Sequence, residues 1–123
     1  MAKIIVVDDD KASTALFEQV LLMNGYKVNV INESSKAIQL ANTVGPDLFL
    51  LDLMMPQPDG FKLCRMLRAD PVYRRTPIII VTALNDVDSR LVAIGAGAND
   101  YLVKPFHIHE LYAAIEKQLN KNK

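Results

Sequence analysis

Five short runs of Val, Ile and Leu, each followed by a stretch with helical spacing, constrain this chain more than any other feature of its sequence. The runs occupy residues 4–7, 28–31, 48–51, 78–81 and 101–103, and each has the length and composition of a β-strand. The first, third and fourth are apolar without polar alternation, which suits strands covered on both faces, so these three are expected at the centre of a parallel sheet. Between the runs, Leu16, Phe17, Val20, Leu21 and Met23 recur at helical spacing ahead of Gly25, a residue fit for a left-handed helix stop. Residues 34–44 put Ala37, Ile38, Leu40 and Ala41 on one side of a second helix and end at Gly45 and Pro46. Further helices are expected from Gly60 to about Ala69, over roughly residues 87–95, and from Ile108 to about Leu119. Strand then helix, five times over, predicts an α/β fold with helices on both faces of a parallel sheet, joined by right-handed crossovers.

Composition narrows what such a fold is for. At 123 residues the chain is expected to form one domain, and its apolar half supports a buried core. Fourteen basic against fourteen acidic residues leave no net charge, so no global field draws it to nucleic acid or to an anionic membrane. The apolar runs are broken by Asp52 or end at Pro56 and Asn85, far short of a membrane span. Cys64, the single cysteine, has no internal disulfide partner, and no basic-then-apolar leader opens the chain, so a reducing, cytoplasmic setting is expected.

In open parallel sheets ligands bind outside the carboxyl ends of the strands. There the sequence places Asp8, Asp9 and Asp10 after the first strand, Asp52 after the third, Thr82 at the end of the fourth, and Lys104 with Pro105 after the fifth. Were Asp8, Asp9 and Asp52 to converge within about 4 Å, each pair would repel by ~4 kcal/mol at an effective dielectric near 20, so cationic charge is required. Lys104 supplies one such charge, and a hard divalent cation with oxygen ligands, Mg²⁺, supplies the rest. A carboxylate beside Mg²⁺, an ammonium and a hydroxyl suggests phosphoryl transfer onto Asp52. Asp10 reads equally well as a helix cap. A flavodoxin-type cofactor site fits poorly, because Asp8 to Asp10 would repel a phosphate in the first loop. A haloacid-dehalogenase-type phosphatase typically carries a second Asp two residues after the nucleophile, where this chain has Met54.

Four segments in order resemble the receiver domain of two-component response regulators, chemotaxis-receiver-like in extent. They are Ile4-Ile-Val-Val-Asp-Asp-Asp10, Pro46-Asp-Leu-Phe-Leu-Leu-Asp-Leu-Met-Met-Pro-Gln-Pro-Asp-Gly60, Thr76-Pro-Ile-Ile-Ile-Val-Thr-Ala83 and Gly97-Ala-Asn-Asp-Tyr-Leu-Val-Lys-Pro-Phe106. The resemblance covers essentially the whole chain. It implies a flavodoxin-like, doubly wound (βα)5 fold with strand order 2-1-3-4-5, one receiver domain over residues 1–123, and no output domain in this chain. It implies that Asp52 accepts a phosphoryl group from a histidine kinase or phosphotransfer protein. Asp8, Asp9, Asp52 and the backbone carbonyl of Met54 would hold Mg²⁺, Lys104 would pair with the phosphoryl oxygens, and Thr82 would swing to bond one of them. Tyr101 would follow Thr82 inward, and a cis Lys104–Pro105 bond would aim the ammonium into the site. Downstream protein partners would meet the face of helix 4, strand 5 and helix 5, without direct contact to nucleic acid or membrane, and the phosphorylated form could pair as a dimer. The other readings are a receiver-like interaction module that is never phosphorylated, and the receiver part of a longer transcription factor or signalling enzyme.

Where many receivers place polar residues two positions after the phosphoacceptor and two after the switch hydroxyl, this chain has Met54 and Leu84. Slow self-dephosphorylation is the expectation. His107 and His109 are expected as surface histidines rather than metal ligands, and His107 with Glu110 as an imperfect capping box. The Asn32-Glu-Ser34 sequon is read as accidental, Cys64 as a small apolar filler, and Arg74 and Arg75 as a solvated pair.

Overall fold

The computed structural model describes residues 1–121. The chain runs β1 (Lys3–Val7), α1 (Lys11–Met23), β2 (Lys27–Ile31), a short 3-10 turn (Ser34–Lys36), α2 (Ala37–Val44), β3 (Leu48–Leu51), α3 (Gly60–Ala69), β4 (Ile78–Thr82), α4 (Val87–Gly95), β5 (Asp100–Val103) and α5 (Ile108–Lys121). The strands form one sheet in the order β2-β1-β3-β4-β5, every neighbouring pair parallel. The three runs without polar alternation are the three central strands, and all of β3 and β4 is buried.

Side chains alternate between the two faces of each strand, which sorts the core into two layers. Ile4, Val6, Leu48, Leu50, Ile79 and Val81 pack with Phe17, Val20 and Leu21 of α1 and with Leu111, Ala114 and Ile115 of α5. Ile5, Val7, Phe49, Leu51, Ile78 and Ile80 pack on the opposite face with residues of α2, α3 and α4, among them Ala37, Ala41, Leu63, Leu67 and Ala93. Full burial of each such aliphatic side chain is worth about 2 kcal/mol, so both faces of the sheet hold the helices down. Among the described residues no helix is long and apolar enough to cross a membrane.

The differences from expectation lie at helix margins. Leu16 and Met23 match the helical spacing of α1, yet they are 56% and 76% exposed, and Thr14 is buried in their place. A period alone does not say how wide a stripe the sheet covers. The second helix is preceded by a 3-10 turn over Ser34–Lys36, and Glu33 ahead of it provides no side-chain cap. The fifth runs past Leu119 to Lys121, while the final polar residues Asn122 and Lys123 lie outside the described residues. Gly25 (φ 85°) supplies the left-handed stop expected of it, and Gly45 (φ 67°) ends α2 in the same region.

Candidate functional site

Parallel register brings the carboxyl ends of the strands to one edge: Val7 pairs with Leu51, and Thr82 with Val103. Asp8 and Asp52 therefore leave neighbouring central strands side by side. Asp8 is 2% exposed, and its Oδ1 accepts from the Asp10 amide at 2.9 Å. Asp10 caps α1, accepting from the Ala12 amide at 3.0 Å and the Ser13 hydroxyl at 3.2 Å. Asp9 is exposed. The Asp52 side chain is largely buried, with Oδ1 accepting from the Met54 amide at 3.1 Å.

Lys104 closes the group from β5. Its ammonium donates to Asp8 Oδ2 at 2.8 Å and to Asp52 Oδ2 at 3.1 Å, and the Lys104–Pro105 peptide is cis, as expected. Burial pushes Asp8 above the ordinary carboxylate range; hydrogen bonding and charge from Lys104 oppose this, and the charge of Asp52 adds to it. For Lys104 burial acts downward, but the two carboxylates outweigh it and hold the ammonium above its usual value. Two carboxylates on one ammonium leave a negative charge in excess.

Thr82, at the end of β4, is fully buried, and its hydroxyl oxygen accepts from the Leu84 amide at 3.4 Å. Tyr101 on β5 is 4% exposed, and its hydroxyl donates to the Leu84 carbonyl at 2.8 Å. The Arg90 guanidinium lies 4.9 Å from the centre of the Tyr101 ring. Both sides of the Leu84 peptide group region are thus tied to the residues marked by the sequence as a switch. The loop after β3 folds back on its own start: the Gly60 amide donates to the Leu53 carbonyl at 3.1 Å, and a Cβ on Gly60 would collide with the Asp52 carbonyl oxygen.

The site's oxygens can be tested against the expected cation. Among the described residues no group of three or more His, Cys, Asp or Glu side chains is gathered to hold a metal. Asp8 and Asp52 close on Lys104, and Asp9 lies exposed next to Asp8 in the first loop. Carboxylate oxygens are hard donors, the kind that Mg²⁺ accepts while keeping several waters. The donor chemistry fits Mg²⁺.

His107 and His109 are exposed with rings stacked 5.5 Å apart, and only the Glu110 half of the capping box forms, with the His107 amide donating to Oε1 at 2.9 Å. Cys64 is fully buried, its thiol held above its usual pKa by burial, which suits an apolar filler. Arg74 and Arg75 are exposed. Two supporting residues had no signal in the sequence. The Asn32 amide donates to the Asp8 carbonyl at 2.9 Å and to the Thr14 hydroxyl at 3.0 Å, fixing the first loop. Arg68 donates to the carbonyls of Gly97, Tyr73 and Thr76 and to Asn99 Oδ1, all within 2.9 Å. The Gln57–Pro58 peptide is also cis, which the sequence did not indicate.

Comparison with known proteins agrees with this geometry. The family described as response regulator receiver domain matches residues 4–116. The chain is 39% identical over 121 residues to response regulator MprA of Mycobacterium leprae, covering 98% of this chain and 52% of that protein. It is 37% identical to the DNA-binding dual master transcriptional regulator RpaA of Synechocystis, covering 98% and 50%. The chain thus spans about half the length of these relatives. Among solved structures, the receiver domain of the Francisella response regulator 1452 superposes with a TM-score of 0.92 at 32% identity, each chain fully covered. A two-component response regulator from Clostridium difficile gives 0.93 at 28% identity, covering 100% of this chain and 99% of that one.

Proposed function

The chain belongs to the response regulator receiver domain family, and from that membership we infer that it takes a phosphoryl group on Asp52 and passes the change on by protein contact. The observation that carries the assignment to Asp52 is its position: largely buried, beside Asp8, and 3.1 Å from the Lys104 ammonium. Receivers work with histidine kinases and downstream effectors, so the donor is a phosphohistidine on a kinase or phosphotransfer protein. An Asp52 carboxylate oxygen attacks phosphorus, the P–O bond forms as the P–N bond breaks, and the leaving imidazole takes a proton from its surroundings. Asp8, Asp9, Asp52 and the Met54 carbonyl would hold Mg²⁺. When bound, Mg²⁺ neutralises charge on the transferring group. Lys104, already poised on both carboxylates, shifts to the phosphoryl oxygens and keeps the ammonium in the charged form.

The transfer is chemistry, but the domain is not a turnover enzyme; it phosphorylates and dephosphorylates only itself. Phosphorylation adds acceptor oxygens at Asp52, so the Thr82 hydroxyl gains a partner there and releases the Leu84 amide. Tyr101, tied to the Leu84 carbonyl, responds to the same movement. The face of α4, β5 and α5, with Val87, Leu91 and Ile94 exposed, binds the partner or a second copy. We place the protein in the cytoplasm, where a kinase can reach it.

Intact mass after incubation with acetyl phosphate tests this, with Mg²⁺ or with chelator, on the parent and on Asp52→Ala. One phosphoryl adduct that needs both Mg²⁺ and Asp52 is the expected result. An adduct that survives in Asp52→Ala means a different nucleophile. Absence of an adduct with acetyl phosphate and with a phosphorylated kinase as donor leaves a constitutive interaction module.

A further inference from the structure

The loop from Met54 to Asp59 is short of ways to hold itself. Pro56 and Pro58 have no amide hydrogen, so neither can donate a backbone bond. Its start is fixed by the Met54 amide on Asp52 and its end by the Gly60 amide on the Leu53 carbonyl. Its middle is fixed from elsewhere. The Ser34 hydroxyl, in the 3-10 turn after β2, donates to the Pro58 carbonyl at 2.7 Å and, shared, to the Pro56 carbonyl at 3.1 Å. Ser34 is 6% exposed, so this hydroxyl is a buried donor. Among the described residues it is the one side chain from another element that bonds the backbone of this loop.

We propose that Ser34 is a positioning residue for the metal and phosphoryl site: its hydroxyl sets the path of the loop that carries Met54, and through it the affinity for Mg²⁺. The inference rests on the reading of Asp52 and Met54 given above. Mg²⁺ demands near-octahedral geometry, so a backbone ligand displaced by a fraction of an ångström is a poorer ligand. Groups that orient metal ligands from outside typically change affinity by 10–100-fold when removed. Ser34 reaches the site only through the loop, so its loss moves metal affinity first.

The test compares the parent with Ser34→Ala and Ser34→Thr, the second of which keeps the hydroxyl. Asn42→Ala, which removes the acceptor of the Tyr73 hydroxyl on the far side of α2, serves as a control for lost stability alone. The readout is the Mg²⁺ concentration at which the thermal midpoint rises, together with the rate of adduct formation from acetyl phosphate at limiting and saturating Mg²⁺. We expect Ser34→Ala to need roughly tenfold more Mg²⁺ for the same shift, to recover its phosphorylation rate as Mg²⁺ saturates, and to be rescued by Ser34→Thr. Asn42→Ala should leave the Mg²⁺ dependence unchanged. If Ser34→Ala binds Mg²⁺ as the parent does, or if Ser34→Thr fails as badly as Ser34→Ala, the hydroxyl has no positioning role. Should Ser34→Ala fail to fold, Ser34→Cys, of similar shape and a far weaker donor, takes its place under the same expectation. A parent that neither binds Mg²⁺ nor forms the adduct defeats the functional reading instead, a distinguishable outcome.

Discussion

Asp8 is 2% exposed and shares a single ammonium with Asp52, so folding takes its carboxylate out of water without giving it full compensation. Its folded pKa lies above the unfolded value, with burial as the main cause. The ionised form is therefore less at home in the fold than in the unfolded chain. That cost is present at neutral pH and is relieved as pH falls through the folded value. Lys104, also raised, contributes stability that is full below its unfolded value and lost only as pH climbs through its folded one, far above neutrality. At pH 7 the group is thus stabilised by its cation and penalised at Asp8. Asp8→Asn should accordingly raise the apo melting midpoint by a few degrees, while Mg²⁺ should raise the midpoint of the parent and not of the variant. A lower apo midpoint in Asp8→Asn would show that the ion pair outweighs the burial cost. Met54, 57% exposed beside Asp52, has no polar group with which to hold a water. Met54→Asn should shorten the lifetime of the phosphorylated form severalfold, read by the decay of intact mass; an unchanged lifetime counts against the expectation that Met54 slows hydrolysis.

At the scale of elements, α3 packs Leu63, Cys64 and Leu67 into the core and adds two close polar fastenings, one at each end. Gly60 packs so closely on the Asp52 carbonyl that any β-carbon must move the strand end or the helix start. Gly60→Ala should cost about 2 kcal/mol, as overpacking of a closed site does, and should slow adduct formation on Asp52 as well, because the displaced atoms belong to its own peptide. Arg68, in the last turn of α3, ties the loops before β4 and β5 together through its four donor contacts. Arg68→Ala should cost about 3 kcal/mol in urea unfolding, since it strips donors from several part-buried acceptors at once. Arg68→Lys should recover little of this, because a point-like ammonium cannot reproduce the fork. An unchanged midpoint in either variant would mean that water replaces the lost donors. These contacts also mark where reading the sequence stops. The strands were legible because burial on both faces demands continuous Val, Ile and Leu, and Asp8, Asp52, Thr82 and Lys104 were legible because a parallel sheet puts strand ends together. Arg68, Asn32 and Ser34 carry letters that are usually solvated, and their roles depend on backbone carbonyls 5–29 positions away, which no local pattern encodes.

Across the whole molecule the helices are not held equally. α1, α3 and α5 each bury four residues against the sheet, whereas α4 buries Ala93 alone and leaves Val87, Leu91, Val92 and Ile94 about half exposed or more. Few buried contacts mean a low cost of local opening, so α4 belongs at the low-stability end of the fold. It is also the helix that follows Thr82 and the Leu84 peptide, to which Tyr101 is bonded. On the proposed switch, a small gain of hydrogen bonding at Thr82 would act on the part of the molecule that is least costly to move, while β1, β3 and the helices on the other face stay fixed by their burial. Hydrogen exchange should show α4 amides opening well below the global unfolding free energy in the unphosphorylated protein. Formation of the acyl phosphate should change exchange mainly over residues 83–95 and around Tyr101, leaving the buried turns of α1 and α3 as they were. Changes spread evenly over all five helices would mean that phosphorylation alters global stability, and that the fold holds no local switch. Changes confined to the loops around Asp8 and Asp52 would mean that the signal leaves by the phosphorylated edge itself, with no part for α4.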